Sequence, residues 1–455
     1  MPYSQPTLAQ TATALASRLN DPANVRWVLP ELHGYIREAL RWWNACTSHF
    51  RAQDGWSTVI GEPFYDLTLT LPSLRGQSVT NWQVIADLQY ALLEPAAAGG
   101  TWTGTDQFTL DQLSTAVQRR RDQFLRETGA IVTRTLLAQF IVSPPIFSGR
   151  IDLDEAMLIV RRAAWRVTST QTLLPLLRTD DWAANAYAPA WTTAAGRQRA
   201  YTTSVTPPLQ LQIIDAPQAD GTLDLLTINA GAPVVSATDL SLGIPDDFAW
   251  VVKFGALADL LQGDGLALDP HRAAYCEARW QEGLRLARTT PVVLAARIDD
   301  LPCTIGAVSD ADVYSPTWQL VTGVPKKVLL SGQNLVAIWP PPGGTGGPWA
   351  ITLDVVRNAP VPALTGDILQ ISQDVYDTIL DYSQHLALFK EGPGQLELAT
   401  ALYDRAARAA GIDHRLQQAT QPARVPLFGQ QPQDRRGASP EQRDVPAAIA
   451  FVEAD

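Results

Sequence analysis

The chain has 455 residues, 46% apolar and 18% charged, and a formal net charge of −11. This composition excludes an intrinsically disordered chain, and the length is enough for two or three domains. The acidic balance argues against a general nucleic-acid coat, since phosphate binding needs a basic face. It leaves open a channel whose acidic or neutral wall lets DNA slide past.

Periodicity predicts the first elements of the chain. Apolar residues at helical spacing indicate helices over residues 7–20, from Pro30 to Arg51, and over 80–94. Between the second and third of these, residues 64–71 alternate in the manner of a strand.

A long helix is expected over residues 110–142, with Gly129 as a possible kink. Arg119, Arg120 and Arg121 fall on its polar side. Two interpretations of this run remain open, a solvated helix face and a partner-binding patch.

The middle of the chain combines a capping signal with turn signals. Asp152 and Glu155 have capping-box spacing, which predicts a helix over residues 157–167. Strands are expected at 209–214 and 223–228, joined as a hairpin through an Asp-Gly turn.

The second half alternates helices and strands. Helices are predicted over 245–261 and 269–288, the latter capped by Asp269 with Pro270 at its first position. The glycine-rich loop at 340–348 leads into a strand rather than a helix, which argues against a phosphate loop. Further strands are predicted at 292–298, 303–308, 327–331, 334–339 and 349–356.

Two helices close the ordered part, over residues 375–389 and 394–410. His385 lies on the first of them and is interpreted as a packing residue. From Gln417 the chain becomes rich in Gln, Pro and Arg, which indicates a free tail or an arm lying on a neighbouring subunit, with Phe428 as its anchor.

Together these elements predict an α+β fold, with helical bundles combined with small antiparallel β-sheet domains of sandwich or barrel form. We expect five regions. They are a mainly helical region at 1–150, helices with a hairpin at 151–290, an antiparallel β domain at 291–360, a helical hairpin at 361–412 and a tail at 413–455.

Metal and membrane signals are weak throughout. No two of the three cysteines and five histidines have metal-ligand spacing, so no metal and no cofactor is expected. The cysteines fit a reducing compartment. The first residues lack the features of a signal peptide, and no run of 18 apolar residues occurs, so folding in a cytoplasm without membrane contact is expected.

Between residues 200 and 410, four segments follow one another in a distinctive order. They read PLQLQIIDAPQADGTLDLL, then IPDDFAWVVKFGALADLLQGDG with ALDPHRAAYCEARWQEGLRLA, then YSPTWQLVTGVPKKVLLSGQNLVAIWPPP, and finally DVYDTILDYSQHLALFKEGPGQLELATALYDRAARAAG. This order resembles virion structural proteins of tailed phages, in the neck, collar and head–tail connector class.

The resemblance implies a non-enzymatic ring subunit at the head–tail connection of a virion assembled in the host cytoplasm. Its partners would be other copies of itself and the portal, capsid or tail proteins, and genomic DNA would pass nearby in a channel without specific contact. No catalytic residues are implied. A ring subunit must present two different surfaces to its neighbours. The candidate interface residues are Arg119, Arg120, Arg121, Lys326, Lys327, Pro341, Trp349, Arg424 and Phe428.

Two other classes of function stay open. An attachment or carbohydrate-binding protein would stack sugars on its tryptophans, and a glycoside hydrolase would need two carboxylates in a cleft. The tryptophans available are Trp42, Trp43, Trp102, Trp182, Trp191 and Trp339. The available carboxylates are Asp54, Glu62, Asp66 and Asp215, whose spacing selects no pair.

Overall fold

A computed structural model describes residues 5–412, with gaps at 72–73, 75–76, 94–106, 140–149, 171–172, 188, 192–195, 197, 205–207, 216, 218, 235–238, 264–266 and 345–346. All the described residues belong to one compact unit, Met1–Asp413. Secondary structure in this unit combines a helical body with two curled sheets, which confirms the predicted α+β class.

Eleven α-helices occur among the described residues. Three of them begin with a capping box in which a threonine precedes a glutamine at the third helical position, as at Thr109 and Gln112. The helices are α1 Leu8–Arg18, α2 Leu29–Thr47, α3 Leu67–Thr70, α4 Asn81–Ala91, α5 Leu110–Thr128, α6 Asp181–Tyr187, α7 Ala249–Gln262, α8 Pro270–Thr289, α9 Val308–Tyr314, α10 Gln373–Phe389 and α11 Leu396–Ala410.

The strands of the same part of the chain form two seven-stranded sheets. The first has the order β1-β14-β10-β11-β12-β13-β2, and the second β3-β9-β5-β6-β7-β8-β4. The strands are β1 Arg51–Ser57, β2 Phe64–Asp66, β3 Thr133–Gln139, β4 Arg150–Asp152, β5 Met157–Val167, β6 Leu173–Arg178, β7 Ala200–Thr203, β8 Gln210–Ile214, β9 Gly221–Asn229, β10 Val293–Ile298, β11 Leu301–Ala307, β12 Lys327–Ser331, β13 Leu335–Trp339 and β14 Ala350–Val356.

Each sheet is antiparallel apart from one parallel pair, β11 with β12 in the first sheet and β6 with β7 in the second. Each curls around its own apolar core. A third core joins the two sheets, because β2, β12 and β13 of the first contribute to it together with β9 of the second. The first sheet also takes strands from both ends of the chain, since β1 and β2 join strands of residues 293–356.

The β12–β13 turn fastens the first sheet to the segment that precedes β3. The Asn334 amide oxygen accepts from Val132 N at 2.8 Å, and its amide nitrogen donates to Val132 O at 3.0 Å. Gln333 N donates to Ala130 O at 2.7 Å. Gly332 has a φ of +71°, and a β-carbon there would lie 2.7 Å from Val132 Cγ2. Only glycine fits this contact without strain.

The predicted helix over 157–167 is wrong, because this segment is strand β5, paired with both β6 and β9. Two register shifts, near Met157 and near Val160, interrupt the alternation of buried side chains. These shifts gave the apolar residues the three- and four-residue spacing of a helix. Asp154 shapes the preceding turn by accepting from Ala156 N at 2.8 Å.

Four other predictions need correction. The helix predicted over 110–142 ends at Thr128, where Gly129 takes a φ of +61° and caps α5, and β3 follows. The strand predicted over 64–71 ends at Asp66, and helix α3 follows it. The helix predicted to end at Arg51 ends at Thr47. Strands β8 and β9 do not pair with each other; β8 pairs with β4 and β7, and β9 with β3 and β5.

The remaining predicted elements are confirmed. They are helices α1, α4, α7, α8, α10 and α11, the β10–β11 and β12–β13 hairpins, and strand β14. Asp269 caps α8 as expected, with its side chain accepting from Arg272 N at 3.1 Å.

Substitution of Gly332 by alanine should lower the free energy of unfolding by about 2 kcal/mol or more, because the new methyl group meets backbone and Val132 at a left-handed residue. Urea titration of the full chain measures the change. Gly366→Ala is the matched control, since its β-carbon would enter open space, and it should stay within about 0.5 kcal/mol of the parent. Equal stability of the two variants would contradict the role of this turn.

His385 lies buried in the helical body, as the packing interpretation predicted. Its Nδ1 is 2.9 Å from Ala399 O, and its Nε2 is 3.2 Å from the Tyr275 hydroxyl. Burial, helped by the nearby charge of Arg279, lowers the pKa of His385 to about 3.

The unfolded chain therefore binds a proton at His385 at a higher pH than the folded chain does. The stability that neutral His385 supports is complete above pH 6.5 and is lost as the pH falls from there towards 3. We expect His385→Asn to flatten the pH dependence of the free energy of unfolding between pH 6 and 4. The exposed His49, changed in the same way, should leave that slope intact.

Candidate assembly surface

Several connections between strands of the first sheet meet at one end of that sheet. Strands β1, β10 and β13 finish at this end, whereas β2, β11, β12 and β14 start there. Among the described residues, the connections that meet are therefore 58–63, 299–300, 315–326, 340–344 and 347–349. Two regions predicted as interfaces, the Lys326-Lys327 segment and the proline-rich loop, are brought together by this topology.

Three backbone segments at this end are joined by hydrogen bonds into one surface, which we call the loop platform. It consists of residues 58–63, 320–327 and 339–344. The bonds are Gly61 N to Pro342 O at 3.0 Å, Gly323 N to Pro341 O at 2.9 Å, Gly343 N to Gly323 O at 2.9 Å and Lys326 N to Trp339 O at 2.9 Å.

The two outer segments of the loop platform share a sequence pattern. Residues 59–63 read VIGEP and residues 321–325 read VTGVP, so that both follow V-x-G-x-P. In each segment the glycine N–H donates to a carbonyl of the Pro340–Pro342 run, from Gly61 to Pro342 and from Gly323 to Pro341. Prolines lack an N–H but keep a carbonyl acceptor, which suits them to the central position of this arrangement.

Two aromatic residues, Tyr65 and Trp349, hold the segment at 58–63 in place by hydrogen bonds. The Tyr65 hydroxyl accepts from Val59 N at 2.9 Å and donates to Val59 O at 3.2 Å, and burial raises the pKa of Tyr65. Thr58 N donates to Trp349 O at 2.9 Å, and Trp349 N donates to Thr58 Oγ1 at 2.9 Å. The platform is thus fixed before any partner arrives.

Aliphatic side chains of the loop platform project into solvent from both V-x-G-x-P segments. Four of these side chains are at least half exposed. They are Val59, Ile60, Val321 and Val324. Sequence reasoning missed these residues, although the repeated pattern was a signal that could have pointed to them.

The residues predicted here have different roles. Lys326 is exposed, whereas Lys327 is half-buried with its Nζ 5.0 Å from the centre of the Trp339 ring, and burial lowers its pKa. Pro341 is buried and Trp349 packs against the core of the first sheet. Pro341 and Trp349 therefore support the loop platform from beneath rather than form its outer face.

The three consecutive arginines of α5 do not form one polar face. Arg119 is exposed, with its Nε 3.8 Å from Asp259. Arg120 is buried between Asp259 and Glu277 and lies over the Trp280 ring, and Arg121 is fully buried and donates to Gly231 O at 3.0 Å. The expectation of a solvent-facing side is wrong for these two, because α7 and α8 pack over Arg120 and residues 231–232, after β9, cover Arg121.

A second exposed apolar surface surrounds the short helix α6. Its Ala184 packs against Trp191 and against Ile214 of strand β8, and this contact leaves Trp182 facing solvent. Trp182 is 88% exposed, and Leu177 at the end of β6 and Tyr187 at the end of α6 are also exposed. We call Leu177, Asp180, Asp181, Trp182 and Tyr187 the α6 face.

The carboxylates considered for catalysis include two with structural partners. Glu62 pairs with Arg134 at 2.7 Å, and Asp66 caps α3 by accepting from Thr68 N at 2.9 Å. Asp215 lies against Gly196 in a left-handed conformation. Within the described ranges, no three His, Cys, Asp or Glu residues are grouped so that they could hold a metal ion.

Most of the tryptophans considered for sugar stacking face inwards. Trp42, Trp43 and Trp191 are buried and Trp339 is half-buried, which leaves Trp182 as the exposed one of those described. Trp102, together with the interface candidates Arg424 and Phe428, lies outside the described residues. In the part of the chain described, no helix has the length and apolarity needed to cross a membrane.

Comparison with known proteins gives no assignment. No protein-family model matches the chain, and no curated protein shows significant similarity to it.

Tyr65→Phe should loosen residues 59–62 without unfolding the sheet, because it removes both hydrogen bonds to Val59 and keeps the ring. The amide hydrogen of Val59 should exchange faster, and the free energy of unfolding should fall by about 1 kcal/mol. Tyr187→Phe, at an exposed hydroxyl, is the control. Unchanged exchange at Val59 would show that Tyr65 does not hold this segment.

Proposed function

We propose that this protein is a non-enzymatic structural component of a tailed-phage particle. It forms a ring at the neck, the head–tail connection, and links the portal or capsid to the tail. Its partners are further copies of itself and the portal, capsid or tail proteins of the same particle, and genomic DNA passes near it in a channel.

The loop platform is the observation that carries this proposal. Four exposed aliphatic side chains stand on backbone that is already fixed by hydrogen bonds. A group of exposed apolar side chains on a rigid surface is typical of a protein–protein contact. Because the backbone is ordered in advance, little conformational entropy is lost when a partner binds.

Several groups that an enzyme would use are engaged in structural contacts, which supports a scaffold over a catalyst. His385 is buried between Tyr275 and Ala399, and burial raises the pKa of the Cys276 thiol to about 12, far above the range of a reactive thiolate. The net charge of −11 is compatible with a channel wall that does not hold DNA.

A carbohydrate-binding attachment protein is the second candidate, and the exposure of Trp182 favours it. A flat aromatic ring on the surface can stack against a sugar. Quenching of tryptophan fluorescence by glycans that is lost in Trp182→Ala would support this candidate over the ring subunit.

The proposed function is tested by changing the loop platform and measuring assembly. We expect the full chain to form a closed oligomer, alone or on meeting portal or tail proteins, when its mass is followed by mass photometry. Val59→Asp combined with Val321→Asp should reduce assembly at least tenfold, because the contact would bury two unpaired charges.

Val25→Asp is the matched control, since Val25 is equally aliphatic and 81% exposed but lies between α1 and α2. It should assemble as the parent does. A parent chain that stays monomeric with every portal, capsid and tail protein of its particle would overturn the proposal.

A further inference from the structure

A ring contact joins two different surfaces of the same chain, and the loop platform supplies one of them. The α6 face is the strongest candidate for the other. Trp182 is the most exposed of the large apolar side chains described, and tryptophan is enriched at the centres of protein interfaces.

The α6 face is also rigid. Asp180 caps the helix, since its carboxylate accepts from Ala183 N at 2.7 Å. Trp191 Nε1 donates to Asn185 at 2.9 Å, which ties the helix to the residues that follow it. Trp182 is therefore held out from the second sheet on an ordered element, with little entropy to lose on binding.

One exposed residue of each surface carries a charge opposite to one on the other, Lys326 on the loop platform and Asp181 on the α6 face. The chain has four lysines, and two of them, Lys253 and Lys390, are buried in ion pairs with Glu38 and Glu31. The other two, Lys326 and Lys327, lie on the loop platform.

Opposite charges are found on the α6 face. Asp180 and Asp181 are both exposed there, while Arg178 adds one positive charge beside Leu177. Asp299 and Asp300 lie at the same sheet end as the loop platform, so that the platform is basic only around its two lysines.

We infer that the loop platform of one copy binds the α6 face of a second copy, with Trp182 on the exposed aliphatic side chains and Asp181 facing Lys326. This inference rests on the proposed ring function and specifies its subunit contact. Apolar burial supplies the affinity, and the charge pair selects the orientation and speeds association.

A charge exchange tests the pairing. Lys326→Glu or Asp181→Lys alone should weaken self-association about tenfold by placing like charges together. Both changes in one chain should restore it, because each contact then holds a glutamate against a lysine. Glu155→Lys and Arg119→Glu, at exposed charges elsewhere, are the controls for charge alone.

Mixing two blocked variants tests the head-to-tail geometry. The Val321→Asp, Val324→Asp chain lacks a working platform, and the Trp182→Ala chain lacks a working α6 face. Each should be monomeric alone, and the mixture should give a one-to-one heterodimer and nothing larger, as analytical ultracentrifugation measures. Circular dichroism of each variant shows that it is folded.

Failure of this inference can be separated from failure of the proposed function. Single charge variants that associate as the parent does, an exchange that restores nothing, or a mixture without heterodimer would overturn the contact. A parent chain that forms a ring, alone or on a portal protein, would overturn the contact and leave the ring function standing if the single charge variants and Trp182→Ala form the same ring. A parent chain that forms an oligomer through this contact, but binds no portal, capsid or tail protein, would support the contact and overturn the proposed function.

Discussion

The helical body depends on one buried cation. The Arg279 guanidinium of α8 lies 3.6 Å from the centre of the Tyr403 ring of α11 and 4.9 Å from that of Trp250 of α7. It also donates to the Tyr382 hydroxyl of α10 at 3.3 Å and pairs with Glu282 at 2.6 Å. Since an unpaired buried charge costs several kcal/mol, these four helices are held in the one arrangement that satisfies it.

Two consecutive aspartates that precede α7 connect this helical body to the first sheet. Asp247 accepts from the Asn44 amide of α2 at 2.6 Å and from Ala359 N, just after β14, at 3.1 Å. Asp246 accepts from the Asn358 amide, also just after β14, at 3.1 Å, and from Val79 N at 2.7 Å. A carboxylate that receives several N–H donors is a strong, directional link. Because β14 starts at the loop platform, the position of that surface follows from the packing of the helices.

Local signals in the sequence were sufficient for most helices and for the hairpins with short turns. The capping of α8 by Asp269 is set by neighbouring residues, and so it was predictable. The pairing of β9 with β3 and β5 was not, since these partners are distant in sequence and register is decided by the folded sheet. The burial of Arg120 and Arg121 was missed for the same reason, because a helical period does not say what packs on its polar side.

The loop platform was predicted in part, and the missing part has a physical explanation. Lys326 and the proline-rich loop stood out by composition, but the V-x-G-x-P segments lie about 260 residues apart and meet only when β1 and β12 enter one sheet. Charged residues such as Arg279 are buried here with partners inside the chain, while aliphatic residues such as Val321 of the loop platform are exposed. Folding satisfies the buried charges within the chain, but the exposed aliphatic groups can leave water only by contact with a second molecule. This difference is the reason why we propose the loop platform, rather than the buried charges, as the place where a second molecule binds.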